Sequence, residues 1–200
     1  MISRLSNFIT QNLLKRKTIS DDEKELYDYG LFMMLSYIVF FLISILFGIV
    51  LNIPYSSILF YITFCLIRNF AGGAHANTEI KCDIITTLSI FTSEILIKIF
   101  VEYSFVSIAF VMQLIFSICL CVIKPVATSQ KEISQQEKLH FHKKVVLLTV
   151  LALIISVASM TLGVYNIAFS ISVGLSLASI LLMIGKLKQK LSRKNNDKKQ

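Results

Sequence analysis

Residues 30–51 read "GLFMMLSYIVFFLISILFGIVL", a stretch without one Asp, Glu, Lys, Arg or Pro. About 20 consecutive apolar residues are needed to cross the hydrocarbon core of a bilayer as an α-helix. A helix on the surface of a soluble domain would instead alternate an apolar stripe with a charged face. Here Ser36, Tyr37 and Ser44 are the only polar side chains, and none carries a charge. The stretch therefore predicts a membrane-spanning helix, because a backbone in lipid must satisfy its own hydrogen bonds.

The rest of the 200-residue chain follows the same pattern. Hydrophobic residues make up 55% and charged residues 16%, against about 25% charged in an ordinary soluble domain. The charges gather at the two ends and in two internal stretches, leaving long apolar segments between them. Six spans are expected: about 30–51, 55–70, 84–100, 104–123, 145–162 and 166–185. Pro54 stands at a helix-start position before the second. The second span has few apolar residues before Arg68, so it is short or ends in a recessed loop. Residues 2–14, "ISRLSNFITQNLL", place Ile2, Leu5, Phe8, Ile9 and Leu13 near helical spacing. They predict an amphipathic helix lying in the membrane interface. Ser20 is placed to cap the helix that follows, with Asp21, Asp22 and Glu23 at its positive end. The fold class is thus all-α, a single polytopic membrane domain over 1–185 with a basic tail over 186–200. The first 29 residues show neither an unbroken apolar core nor a small-residue cleavage site, so no secretory signal is expected.

With six spans both termini share a side, and 19 of the 20 Lys and Arg fall on it, Lys98 being the exception. The positive-inside rule then puts both termini, the 68–83 loop and the 124–144 loop in the cytoplasm. The net charge of +8 is read as attraction to anionic lipid headgroups, not to nucleic acid. Seven basic residues lie in the tail "KLKQKLSRKNNDKKQ", and no nucleic-acid-binding pattern accompanies them. In the third span Glu94 and Lys98, four apart, are expected to pair on one helix face near the outer interface. Ser170, Gly174 and Ala178 form a small-residue stripe in the sixth span. The stripe suits packing within the chain or a homodimer seam, and the sequence leaves both open.

One loop breaks the apolar monotony: "RNFAGGAHANTEIKC", residues 68–82. Cys82 falls in the first turns of the third span, where Asn77 or Thr78 can cap. Helix N-termini favour thiolates, and the thiolate is the nucleophilic form of cysteine. An imidazole can take or balance its proton, so His75 and Cys82 have the chemistry of a cysteine-nucleophile dyad. Seven residues apart on a straight helix, they would be about 10 Å distant along the axis. The dyad therefore requires the chain at 71–77 to fold back, and Gly72-Gly73 supplies the freedom for that turn. Asn69, Asn77, Glu79 and Asp83 are local candidates to orient the imidazole. Arg68 suits a substrate carboxylate or a developing oxyanion, or else a snorkelling interface position. A metal site drawn from His75, Cys82, His140 and His142 is disfavoured, because residues 140 and 142 diverge on a helix. No metal or cofactor is expected. "HFHKK", residues 140–144, is read as a solvated helix start. Cys65, Cys119 and Cys121 lie in apolar segments and read as small hydrophobes, without a disulfide framework.

The loop resembles the core motif of the accessory gene regulator B family of bacterial membrane endopeptidases. Arg68, Gly72, Gly73, His75, Ala76 and Cys82 all match that motif. Length, the amphipathic N-terminus, the six-span pattern and the loop after Pro125 match as well, although Lys124 replaces the Ala usual before that Pro. The resemblance implies a bacterial cell-membrane protein that processes a small amphipathic propeptide with an acidic C-terminal tail. Cys82 would attack the bond preceding the tail, leaving an acyl-enzyme thioester. A Cys or Ser of the propeptide would then close a thiolactone or lactone ring, giving a quorum-sensing autoinducing peptide. His75 would serve as general base and then acid, and the backbone near Gly72 and Gly73 would bind the oxyanion. The competing readings are a small membrane peptide exporter without proteolytic activity and a non-enzymatic scaffold. An exporter calls for polar residues lining a midplane cavity, whereas the spans other than the third are nearly featureless, with Gln113 the main exception.

Overall fold

A computed structural model describes residues 2–16, 18–72, 78–125 and 135–197. All regular structure among them is helical: α1 (Ile2–Lys15), a 3-10 turn (Asp21–Glu23), α2 (Lys24–Val50), α3 (Pro54–Ala71), α4 (Glu79–Tyr103), α5 (Val106–Val122), α6 (Gln135–Thr161) and α7 (Tyr165–Asp197). Four helical stretches are long and apolar enough to cross a membrane: Asp21–Val50, Ile80–Tyr103, Gln136–Thr161 and Tyr165–Leu191. Helix α5 is apolar but shorter, and α3, with Arg68 in its last turn, is not among the four. The six expected spans thus each coincide with a helix, and four meet the criteria of length and composition. Helices α6 and α7 run further than expected, starting at Gln135 and continuing to Asp197. Lys, Gln and Leu are good helix formers, and no Gly or Pro follows Gly185 to stop α7.

The chain divides into two compact units, Met1–Ile43 and Ser44–Gln200. In the first, α1 turns its small hydroxyls inward. Ser6 and Thr10 are buried. Ser6 Oγ donates to Asp28 Oδ1 of α2 at 2.7 Å, and Thr10 Oγ1 lies 3.4 Å from the same oxygen. The apolar residues Leu5 and Phe8 are left exposed. Before α2, the Glu23 carboxylate accepts from the Ser20 backbone N–H at 3.0 Å and from its hydroxyl at 2.9 Å, so Ser20 caps as expected.

The second unit is organised around α7, which packs against α3, α4, α5 and α6. Its apolar window is 72% buried, against 28% or less for the other three long helices. The small-residue stripe explains this position. Ser170 and Ala178 are buried, and a Cβ built on Gly174 would lie 3.1 Å from both the Phe60 carbonyl oxygen and Thr63 Cβ of α3. The stripe therefore serves packing within the chain, letting α3 approach closely. Gly174→Leu should overpack this contact and cost about 1–3 kcal/mol. A lower melting temperature of the purified protein is the expected result, with Gly30→Leu, at an open position, as the unaffected control.

The polar contacts that cross the helices of this unit include three of 2.6–2.8 Å. Gln113 Oε1 on α5 accepts from Ser156 Oγ on α6 at 2.7 Å, and Ser172 Oγ on α7 donates to the Ala109 carbonyl at 2.8 Å. The third corrects an expectation. Lys98 pairs with Glu102 at 3.0 Å rather than with Glu94. Glu94 is fully buried, and its Oε1 accepts from Ser44 Oγ of α2 at 2.6 Å. Both pairings satisfy the four-residue rule; the rotation of α4 decides between them by turning Glu94 inward.

Candidate active site

Cys82 is half-buried on the first turn of α4. Thr78 occupies the N-cap position with extended backbone (φ −135°, ψ 147°) and makes no side-chain capping bond. The Cys82 N–H donates to the Thr78 carbonyl at 3.0 Å. This closes the first turn and leaves the preceding amides of the helix without intrahelical acceptors. The positive end of the α4 dipole therefore lies beside the cysteine.

On the other side of the loop, α3 stops at Ala71. Gly72 takes φ 70° and ψ −158°, and its N–H donates to the Arg68 carbonyl at 3.0 Å. That combination is accessible essentially to glycine alone. The remainder of the expected fold-back, residues 73–77, lies outside the described residues. Gly72→Ala should impose strain on the order of 1–3 kcal/mol. Borne at the site, this lowers the rate of any reaction there roughly 5- to 150-fold while leaving membrane insertion unchanged. Pulse-chase turnover together with membrane fractionation checks both halves.

Gly73, His75 and Asn77 lie outside the described residues. Glu79 begins α4. Asp83 follows Cys82 half-buried, and its backbone carbonyl accepts from Thr87 Oγ1 at 2.8 Å. Asn69 is exposed on the last turns of α3. Arg68 is half-buried with its guanidinium 5.6 Å from the Phe64 ring centroid. An aromatic face holds this charge in place without neutralising it, so the guanidinium keeps its capacity for an anion.

Sequence reasoning missed the contribution of α6. Phe70, within the motif, packs against Phe141 with ring centroids 6.3 Å apart, and Lys144 Nζ sits 4.9 Å from the Phe70 centroid. The segment 140–144 therefore lies within α6 rather than at its start, with Phe141 and Lys144 against the end of α3 while His140 and Lys143 stay exposed. His142 is half-buried there, and its Nδ1 has no hydrogen-bond partner among the described residues. The four-residue repeat Phe141, Val145, Thr149 carried the signal. Val145 and Thr149 are fully buried, and the same face extended one turn back reaches Phe141.

The helices and their long apolar segments define a helical membrane protein with a cysteine on the first turn of α4. The chain belongs to the accessory gene regulator B (AgrB) family, whose profile matches residues 3–183. It is 25% identical over 187 residues to an AgrB-like protein of Clostridium perfringens strain SM101, covering 90% of this chain and 87% of that one. It is likewise 25% identical over 149 residues to AgrB-like protein 2 of C. perfringens strain 13, covering 72% of this chain and 70% of the relative. No solved structure matches the chain.

Proposed function

We propose that this protein is a membrane cysteine endopeptidase that removes the C-terminal tail of a small quorum-sensing propeptide and promotes its cyclisation. The observation that carries the reading is the family match over residues 3–183, which encloses the whole His75–Cys82 motif. Cys82 Sγ attacks the carbonyl carbon of the bond preceding the acidic tail while His75 accepts the thiol proton. The tetrahedral oxyanion is bound by backbone near Gly72 and Gly73 and by Arg68. Its collapse breaks the peptide bond, and His75 returns the proton to the departing amine. The resulting thioester keeps the acyl group activated. A thiol or hydroxyl of the propeptide displaces Cys82 to close the ring, its proton returning to the enzyme. Exclusion of water from a site at the membrane surface favours cyclisation over hydrolysis.

In this reading α2 to α7 cross the membrane as six spans. Both termini and the 68–83 and 124–144 stretches are cytoplasmic, consistent with the basic residues there. The exposed Leu5 and Phe8 of α1 rest in the lipid interface. Lys144, held over Phe70, and Arg68 supply positive charge for the acidic tail.

Co-expression with the propeptide, followed by mass analysis, tests the activity: free tail and cyclised product are expected together. Accumulation of intact propeptide beside wild-type protein contradicts it. Thiol labelling tests the site. Cys82 should react faster than Cys65, Cys119 and Cys121, and equal reactivity of the four removes its assigned role.

A further inference from the structure

Glu94 takes no part in the chemistry described above, yet it is among the most deeply buried side chains of the protein. It lies twelve residues from Cys82, about 18 Å along the axis of α4, too far to touch the reacting atoms. Its surroundings come from three helices. Ser44 on α2 and Ser57 on α3 are both fully buried. Ser44 Oγ donates to Glu94 Oε1 at 2.6 Å and lies 3.4 Å from the Ser57 carbonyl oxygen. Ser57 Oγ in turn lies 3.2 Å from the Ile53 carbonyl. Gly48, one turn beyond Ser44, makes the cluster fit: a Cβ there would collide with Ser57 Oγ and stand 3.2 Å from Pro54 Cα. One tilted aromatic pair, Phe47 and Phe91 with centroids 5.0 Å apart, packs α2 against α4 beside it.

Two features call for an occupant. The first is charge. A carboxylate inside a membrane bundle needs a neutralising partner, and the basic side chains of these helices do not supply one. On α4, Lys98 is engaged by Glu102 at 3.0 Å, and Lys81 is about 20 Å away along the helix. On α3, Arg68 is about 17 Å from Ser57 along the axis. Helix α2 carries no basic residue from Ser44 onward, and the first on α7 is Lys186. The second is the carboxylate's other oxygen: Oε2 is buried without any hydrogen-bond partner among the described residues. A small cation answers both demands, using Oε2 as a ligand.

We propose that Glu94, Ser44 and Ser57 form a binding site for a small monovalent cation of the sodium class, buried between α2, α3 and α4. All its ligands are hard oxygens (a carboxylate, two hydroxyls and the Ser57 carbonyl), the donor set of s-block ions rather than of zinc or copper. One carboxylate balances one positive charge; a divalent ion would leave an excess charge buried in the bundle. The bound ion ties α4, the helix that begins beside Cys82, to α2 and α3.

The test uses full-length protein purified in detergent and held in choline chloride. Radioactive sodium should bind saturably and be displaced by lithium but not by choline or calcium. Glu94→Gln and Ser44→Ala should abolish that binding. On the wild-type protein, a membrane-permeant carbodiimide should modify Glu94 about tenfold more slowly with sodium at ten times its dissociation constant, as occupancy requires. Absence of saturable binding, or binding retained in Glu94→Gln, overturns the proposal. So does equal modification in sodium and choline, which would assign the site to a proton. Should the variants fail to fold, the wild-type protection experiment decides alone. None of these readouts depends on propeptide processing, so failure here and failure of the proposed activity are separate results.

Discussion

Cys82→Ala is expected to abolish tail release altogether, with intact propeptide accumulating and the variant still inserted in the membrane at wild-type level. The reason is chemical. The proposed reaction proceeds through a covalent acyl-enzyme, and nothing else on the first turn of α4 replaces the sulfur. Losing a nucleophile from a unit that acts together costs at least about a thousandfold in turnover. The side chain is half-buried at a helix start that is closed by backbone bonding to Thr78, so its truncation leaves the fold intact. Cys82→Ser should fall nearly as far, because a hydroxyl is a much weaker nucleophile at neutral pH. Quantifying propeptide and free tail by mass spectrometry, beside an immunoblot of the membrane fraction, separates lost chemistry from lost protein. Wild-type processing by the alanine variant would remove the nucleophile from the mechanism.

His75→Ala should produce the second-largest loss, on the order of 10²–10⁴-fold in the rate of tail release, the usual contribution of a positioned general acid–base group. Its effect should differ in kind from that of Cys82→Ala. The sulfur remains, so a residual rate should persist and rise with pH as bulk solvent takes over deprotonation of the thiol. The wild-type rate should instead level off once the imidazole is neutral. Measuring turnover of both proteins across neutral to alkaline pH distinguishes the roles. A His75→Ala protein with near-wild-type kinetics and the same pH profile would show that residue 75 moves no proton.

Those parts of the fold set by local pattern were legible in the sequence. The unbroken apolar run of α2, Pro54 at the start of α3, Ser20 before its acidic turn and Gly72 at the end of α3 each act within a few residues of themselves. Features that depend on which helix lies opposite were not. The Glu94–Lys98 spacing is as good as that of Lys98–Glu102, and only the presence of Ser44 and Gly48 on α2 and Ser57 on α3 turns Glu94 inward. The stripe on α7 was visible as small residues, but its partner, the Phe60–Thr63 segment of α3, was not. Phe141 and Lys144 looked like the solvated head of a span because α6 was expected to begin near residue 145. In fact the helix starts ten residues earlier and lays these side chains against Phe70.

At the site, Cys82 and the Gly72 turn follow from chemistry and backbone sterics, which is why a single stretch of sequence pointed to them. The anchoring of that stretch by α6 is a tertiary property. It holds the C-terminal end of α3, and with it Arg68 and Gly72, against a rigid neighbour. The chemistry proposed for the loop needs such a support, because a general base must stay within hydrogen-bond reach of its proton.

The central claim, that Cys82 carries the peptide as a thioester, is tested most directly by trapping that species. Wild-type protein mixed with propeptide, quenched rapidly in acid and digested, should yield a peptide containing Cys82 enlarged by the mass of the propeptide lacking its tail. Neutral hydroxylamine should release the added mass. An adduct on Cys65, Cys119 or Cys121, or free tail appearing with no hydroxylamine-sensitive mass on Cys82, would contradict the account.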